Sequence, residues 1–95
     1  MALTERFEND KIEVVGTFKA VQVRRADIVE RDGVEIARSF HRHCLMPGSV
    51  DADDNWIDTD ISGEGADVQA ICNAAWTQAV KDAYKAHLIA TRDAV

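Results

Sequence analysis

The sequence predicts an α+β domain: an antiparallel sheet dominated by one long β-hairpin, then an acidic loop, then a C-terminal helix or bent helix pair. Three observations carry this prediction. Arg31-Asp32-Gly33-Val34 sits between two runs of β-formers, and an Asp-Gly pair in that setting marks a two-residue turn whose central residues both need positive φ. Residues 51–67 hold seven acids and no Lys or Arg, interspersed with Gly and Ser. From Ala66 to Arg92 the chain is rich in Ala and free of Pro and Gly, which is helical composition.

Taken in order, residues 1–10 read as a polar N-terminal arm, and residues 11–95 as a single small domain. Lys11–Val15 has the composition of a short strand, and Gly16 breaks it. With Asp32 and Gly33 as the turn, Val29 faces Ile36, Asp27 faces Arg38, Arg25 faces Phe40 and Val21 faces Cys44. Each arm then runs about 12–13 residues, on the order of 40 Å, and Pro47-Gly48 ends the second arm. This register puts Val29, Ile36 and Phe40 on one apolar face; a bulge at Arg24-Arg25 would exchange the faces beyond it. Trp56, Ile57 and Ile61 are the apolar residues able to pin the loop to a core. Along the helical segment the apolar stripe begins as Val68, Ile71, Cys72, Ala75 and Ala79. It then jumps by roughly 100° to Val80, Ala83, Tyr84, His87 and Leu88. A break near Trp76-Thr77, with Thr77 as N-cap of a second helix, accounts for the jump. The expected core is Val14, Val21, Val23, Val29, Ile36, Phe40, Val68, Ile71, Cys72, Ala75, Trp76, Val80 and Leu88.

Size and charge narrow the function classes. A chain of 95 residues buries roughly 64% of its unfolded surface, so the core is thin and an oligomer would help it. Hydrophobic residues are 46% and charged residues 29%, ordinary globular composition. No apolar run approaches the ~20 residues of a membrane span, and the opening residues carry no secretory signal. Residues 1–50 are balanced, with eight basic and eight acidic side chains, whereas residues 51–95 carry three and nine. That acidic half repels phosphate backbones and disfavours nucleic acid as a partner. Cys44 and Cys72 form no CxxC motif, and two reduced, buried thiols are the favoured reading.

Four groups of residues could carry chemistry. His41 and His43 fall on one strand face about 7 Å apart, a workable spacing for Zn or Fe, though a third ligand would have to come from elsewhere. Asp51, Asp53 and Asn55 open like a calcium loop, but Trp56 stands where that loop needs Gly and Ser62 where it needs Glu. Ser39, His41 and an Asp supply the residue types of a triad without a motif to place them, and no nucleophile elbow, phosphate loop or HExxH is present. A non-enzymatic role is therefore expected. The fourth group is charged: Arg24, Arg25, Arg38 and Arg42 make the hairpin a basic ribbon, and Asp53, Asp54, Asp58 and Asp60 make the loop its natural counterpart. Such a contact would form within one chain or between copies, and a long hairpin leaves edges that favour pairing between subunits.

Asp32-Gly33-Val34-Glu35-Ile36, Ser39-Phe40-His41-Arg42-His43, Pro47-Gly48 and the stretch from Val68-Gln69-Ala70-Ile71 through Trp76-Thr77 to Ala83-Tyr84 together resemble a pattern. It is that of small uncharacterised proteins of tailed bacteriophages and prophages, encoded among virion structural and tail genes. The resemblance covers residues 11–90 and brings no catalytic residues with it. In that pattern a Pro often follows the Thr at the second helix start, where this chain has Gln78. The resemblance implies a structural or assembly accessory protein acting through self-association or contacts with other virion proteins. It would be made in the host cytoplasm, with a place in the virion. A metal-binding module at His41 and His43 is one alternative reading; an inhibitor of a host protein is the other.

Overall fold

The computed structural model describes residues 2–92. Three long strands form one antiparallel sheet in the order β1-β2-β3: β1 (Leu3–Val15), β2 (Ala20–Arg31) and β3 (Val34–Leu45). A two-stranded ribbon of β4 (Gly48–Val50) and β5 (Trp56–Asp58) follows, then helices α1 (Ala66–Ala75) and α2 (Gln78–Arg92). The molecule is elongated, 58 × 28 × 21 Å. Its sheet forms a blade, and the helices and ribbon gather at one end of it.

The β2–β3 turn is the expected one. Asp32 and Gly33 have φ of 51° and 82°, and Arg31 faces Val34. The Asp32 carboxylate and backbone N–H both bond to Ala2, tying the start of the chain to the turn. Residues 3–10 are therefore not an arm: they are the outer half of β1, paired with Asn9 opposite Arg25 through Leu3 opposite Arg31. A turn from Gly16 (φ 81°) to Lys19 (φ 54°) joins β1 to β2.

Two bulges set which side chains share a face. On β3 the pairing slips after Glu30–Glu35, so Val29 faces Ala37 and Ile36 is the extra residue. The bulge thus lies beside the turn rather than at Arg24-Arg25, and every pair beyond it is displaced by one from the expected register. Phe40 faces Ala26, Arg38 faces Ile28 and His43 faces Val23. On β1 the extra residue is Asp10, between Asn9 and Lys11.

The core lies where α1 crosses the helix end of the blade. Val21, Val23, Val68, Cys72 and Trp76 are buried there, with Ile12, Leu45, Ile61, Ile71 and Ala75 packed around them. Trp76 Nε1 donates to the Lys19 carbonyl at 2.8 Å, fixing the end of α1 to the turn before β2. The helix break falls at Trp76-Thr77, and Thr77 Oγ1 accepts the Val80 N–H at 3.3 Å. The alanine face of α2 is open, while Tyr84 packs on Phe18, with ring centroids 5.2 Å apart, and on Trp56.

Six expected core positions fall outside it. Ile36 is exposed and Val29 only half-buried because no helix reaches the outer half of the sheet; Phe40 is exposed on the face away from the helices, to which the bulge turns it, and Val14 is exposed on the outer strand opposite Val21. Val80 and Leu88 are half-buried on α2. Ala26 and Ile28, not expected in the core, are 0% and 1% exposed.

Gly48 is fixed by space rather than by backbone angle. A Cβ there would sit 2.4 Å from the Trp56 ring and 2.5 Å from the Ile57 carbonyl oxygen. Gly48→Ala is therefore expected to cost about 1–3 kcal/mol through overpacking, seen as an earlier urea midpoint with an unchanged slope.

Candidate functional site

The charged groups of the blade are organised on its two faces in different ways. Even-numbered residues of β2 point away from the helices, and on that face Ala26 and Ile28 lie beneath a mesh of ion pairs. Arg24 grips Asp10 with two hydrogen bonds of 2.9 and 2.8 Å and lies over the Phe40 ring at 4.5 Å. Arg38 pairs with Glu35 at 2.6 Å and reaches Glu8 and Asp10. Arg6 bonds Glu30 at 2.7 Å. Arginine stems thus cover apolar area while their heads stay in water, which explains how Ile28 is buried with no helix above it. The Arg24 guanidinium holds the Asp10 carboxyl below its ordinary range, and Arg38 does the same for Glu35. Arg42 lines an open groove nearer the helix end, opposite Arg24 and beside Lys11, Glu13, Gln22 and Cys44. Cys44 is exposed, a correction to the reading of two buried thiols. Cys72 is buried, and burial, with Glu64 nearby, pushes its thiol pKa up.

On the helix side, His41 and His43 sit two residues apart as expected, but each faces its own carboxylate. His41 Nε2 lies 2.9 Å from Asp27 Oδ2, and His43 Nε2 lies 3.0 and 3.2 Å from the two Glu64 oxygens. Among the described residues, no group of three or more His, Cys, Asp or Glu converges as a metal site would need. His43–Glu64 has a structural consequence instead: with Asn9–Asp67, it fastens the segment leading into α1 to the blade. Ser39 faces Asp27, so Ser39, His41 and Asp27 do meet on one face. The carboxylate takes the imidazole edge, and Asp27 and Ser39 border an open depression of about 640 Å³ on the strand surface.

The acidic loop is folded onto itself. Asp51 accepts the N–H groups of Asp53 and Asn55 at 2.8 and 3.0 Å, and the Asn55 amide at 3.3 Å. These bonds hold its carboxyl below the ordinary range, with Arg92 adding to the effect. The Arg92 guanidinium donates to Asp54 and to the Asp51 carbonyl, while the Asp51 carboxylate is taken up by Asp53 and Asn55 of its own loop. Asp58 accepts from Trp56 Nε1 at 2.7 Å and pairs with Lys81 at 3.1 Å. Asp60 accepts the Ser62 N–H.

The two charge sets proposed from sequence are therefore separate. Arg24, Arg25 and Arg38 are matched by acids of the blade, and Asp54 and Asp58 by cations of α2. No ion pair among the described residues joins Arg24, Arg25, Arg38 or Arg42 to Asp53, Asp54, Asp58 or Asp60. What sequence reasoning missed is apolar. Leu3, Phe7 and Val34 are 59%, 72% and 65% exposed, and with Val29 and Ala37 they share the helix-side face of the outer blade. The signal was the alternation of Leu3, Glu5, Phe7 and Asn9, masked by the polar residues between them.

The lowered carboxyl pKa values of Asp10, Glu35, Asp51, Asp58 and Asp60 fix the sign of the acid response. A folded-state pKa below the unfolded one stabilises fully above the unfolded value, about 4, and that contribution is lost as pH falls through the folded values. Thermal stability is expected to hold from neutral pH down to about 5 and to decline below about 4. Arg24→Gln should return the Asp10 pKa upward in an NMR titration while leaving that of Asp60 in place.

Compared with family models, with curated proteins and with solved structures, the chain finds no match.

Proposed function

We propose that this chain is a non-enzymatic, phage-associated structural or assembly protein that works through protein–protein contacts and self-association. The observation that carries the reading is the shape of the monomer. Its radius of gyration is 17.6 Å, where a compact chain of this length has about 12.4 Å. Its accessible surface is 6300 Å², where a globular monomer of this mass exposes about 5400 Å². An excess of about 900 Å² is close to what one partner contributes to a standard interface, about 800 Å². A blade exposed on both outer strands suits a part that is covered in an assembly.

The phage association rests on the resemblance of residues 11–90, and with it the expectation of synthesis in a host cytoplasm and a place in the virion. Among the described residues no helix is long and apolar enough to cross a membrane. The isolated sites fit poorly with the alternatives: the two imidazoles are turned to separate carboxylates, and the acidic loop is engaged by Arg92 and Lys81.

Light scattering on a sizing column, at low and high salt, tests the reading. A defined oligomer at both salts is the expected result, because apolar contacts strengthen rather than weaken with screening. A monomer at every concentration and salt overturns it.

A further inference from the structure

The helix-side face of the blade divides into two halves of one continuous surface. Near the helices Ile12, Val21, Val23 and Leu45 are covered by α1. Further out the same face carries Leu3, Phe7, Val29, Val34 and Ala37, because the pairs Leu3–Arg31–Val34 and Glu5–Val29–Ala37 continue the odd-numbered side of β2. Among the described residues nothing covers it: Phe7, Val29 and Ala37 border an open depression of about 640 Å³. On the opposite face the arginine mesh covers Ala26 and Ile28 and leaves Phe40 43% exposed, so the demand for cover is greater on the helix side.

We propose that this outer half-face packs on the same face of a second copy, the two chains antiparallel and their helix ends pointing apart. The inference rests on the self-association reading and names its surface. Charge selects a copy as the occupant. The segment from residue 46 to 92 carries three cations against eight acids, so two copies meeting there repel. The outer half-face carries Glu5 and Asp27 against Arg25 and Arg31, so it meets itself without net repulsion. Arg25 already pairs with Asp27 and lies over the Phe7 ring at 5.6 Å, which leaves Glu5 and Arg31, of opposite charge, to pair across the contact.

Layer geometry agrees. A sheet packs on a sheet at about 10 Å, close to the 8–10 Å at which a helix packs on its neighbours, so the partner's blade extends the layer that α1 begins. Each blade tip then abuts the partner's α1 region. Edge pairing is the weaker arrangement. The β1 edge is interrupted by the Asp10 bulge, and both edges carry charged side chains of the kind that discourage strand addition.

The test compares sedimentation equilibrium and small-angle scattering of the full chain with those of three variants. Phe7→Glu and Val34→Lys each bury a charge in the proposed contact, while neither residue contributes to the core of the monomer. Ile57→Lys alters an equally exposed apolar residue at the helix end, 51% exposed, and serves as control. We expect a wild-type dimer with a longest dimension of about 95 Å, two 58 Å molecules overlapping by an outer half-blade of about 20 Å. Phe7→Glu and Val34→Lys should weaken dimerisation by at least about tenfold with melting of the monomer retained, and Ile57→Lys should leave it unchanged. If the wild type associates and both blade variants associate equally well, the face is wrong and the self-association reading stands. Loss of the dimer in Ile57→Lys alone overturns the face as well. A wild-type monomer throughout overturns both.

Discussion

A mismatch of lengths governs this molecule. The central strand β2 runs 12 residues, on the order of 40 Å, while α1 has 10 residues, about 15 Å. A helix can cover less than half of such a strand. The helix end therefore has an ordinary two-layer core, with Val21 and Val23 beneath Val68, Cys72 and Trp76. The outer half of the sheet must find cover by other means or go without.

Both solutions occur, one on each face. Away from the helices Arg6, Arg24 and Arg38 lay their stems over Ala26 and Ile28 and close with acids of the neighbouring strands. Exposed ion pairs of this kind contribute about 0–1 kcal/mol each, so the mesh matters less as a sum of bridges than as a lid of methylene groups fixed in place by them. It also takes up Arg24 and Arg38, two of the four arginines that made the hairpin look like a basic ribbon. The helix-side face has no such lid, and Phe7 and Val34 stand in solvent.

The legible parts of the sequence were those where one residue type has a single local use. Asp32-Gly33 demanded positive φ and found it; Thr77 capped the second helix where the apolar stripe jumped. The first ten residues were opaque because a strand in an outer, two-sided exposed position has no apolar run to betray it, and only its pairing with β2 makes it a strand. A bulge has no composition of its own, so the slip at Ile36 was invisible, and it alone moved Phe40 from beside Arg25 to beside Ala26. The candidate sites failed to converge for a related reason. His41, His43 and the acidic loop were read as free groups, whereas folding gives each a partner distant in sequence, such as Glu64 for His43 and Arg92 for Asp54.

The division of the blade also separates folding from association. Residues that hold the helices and the ribbon to the sheet, from Trp76 on the Lys19 carbonyl to Gly48 against Trp56, lie at the helix end. Those left open lie about 13 Å or more from the core along the strands, beyond the 7–10 Å over which substitutions usually couple. The outer half-face can thus vary with little effect on the core, and the core can tighten without altering the outer face. A helix too short to cover the central strand leaves a surface shaped by the fold but little coupled to its stability, and that surface is where a second molecule has most to gain.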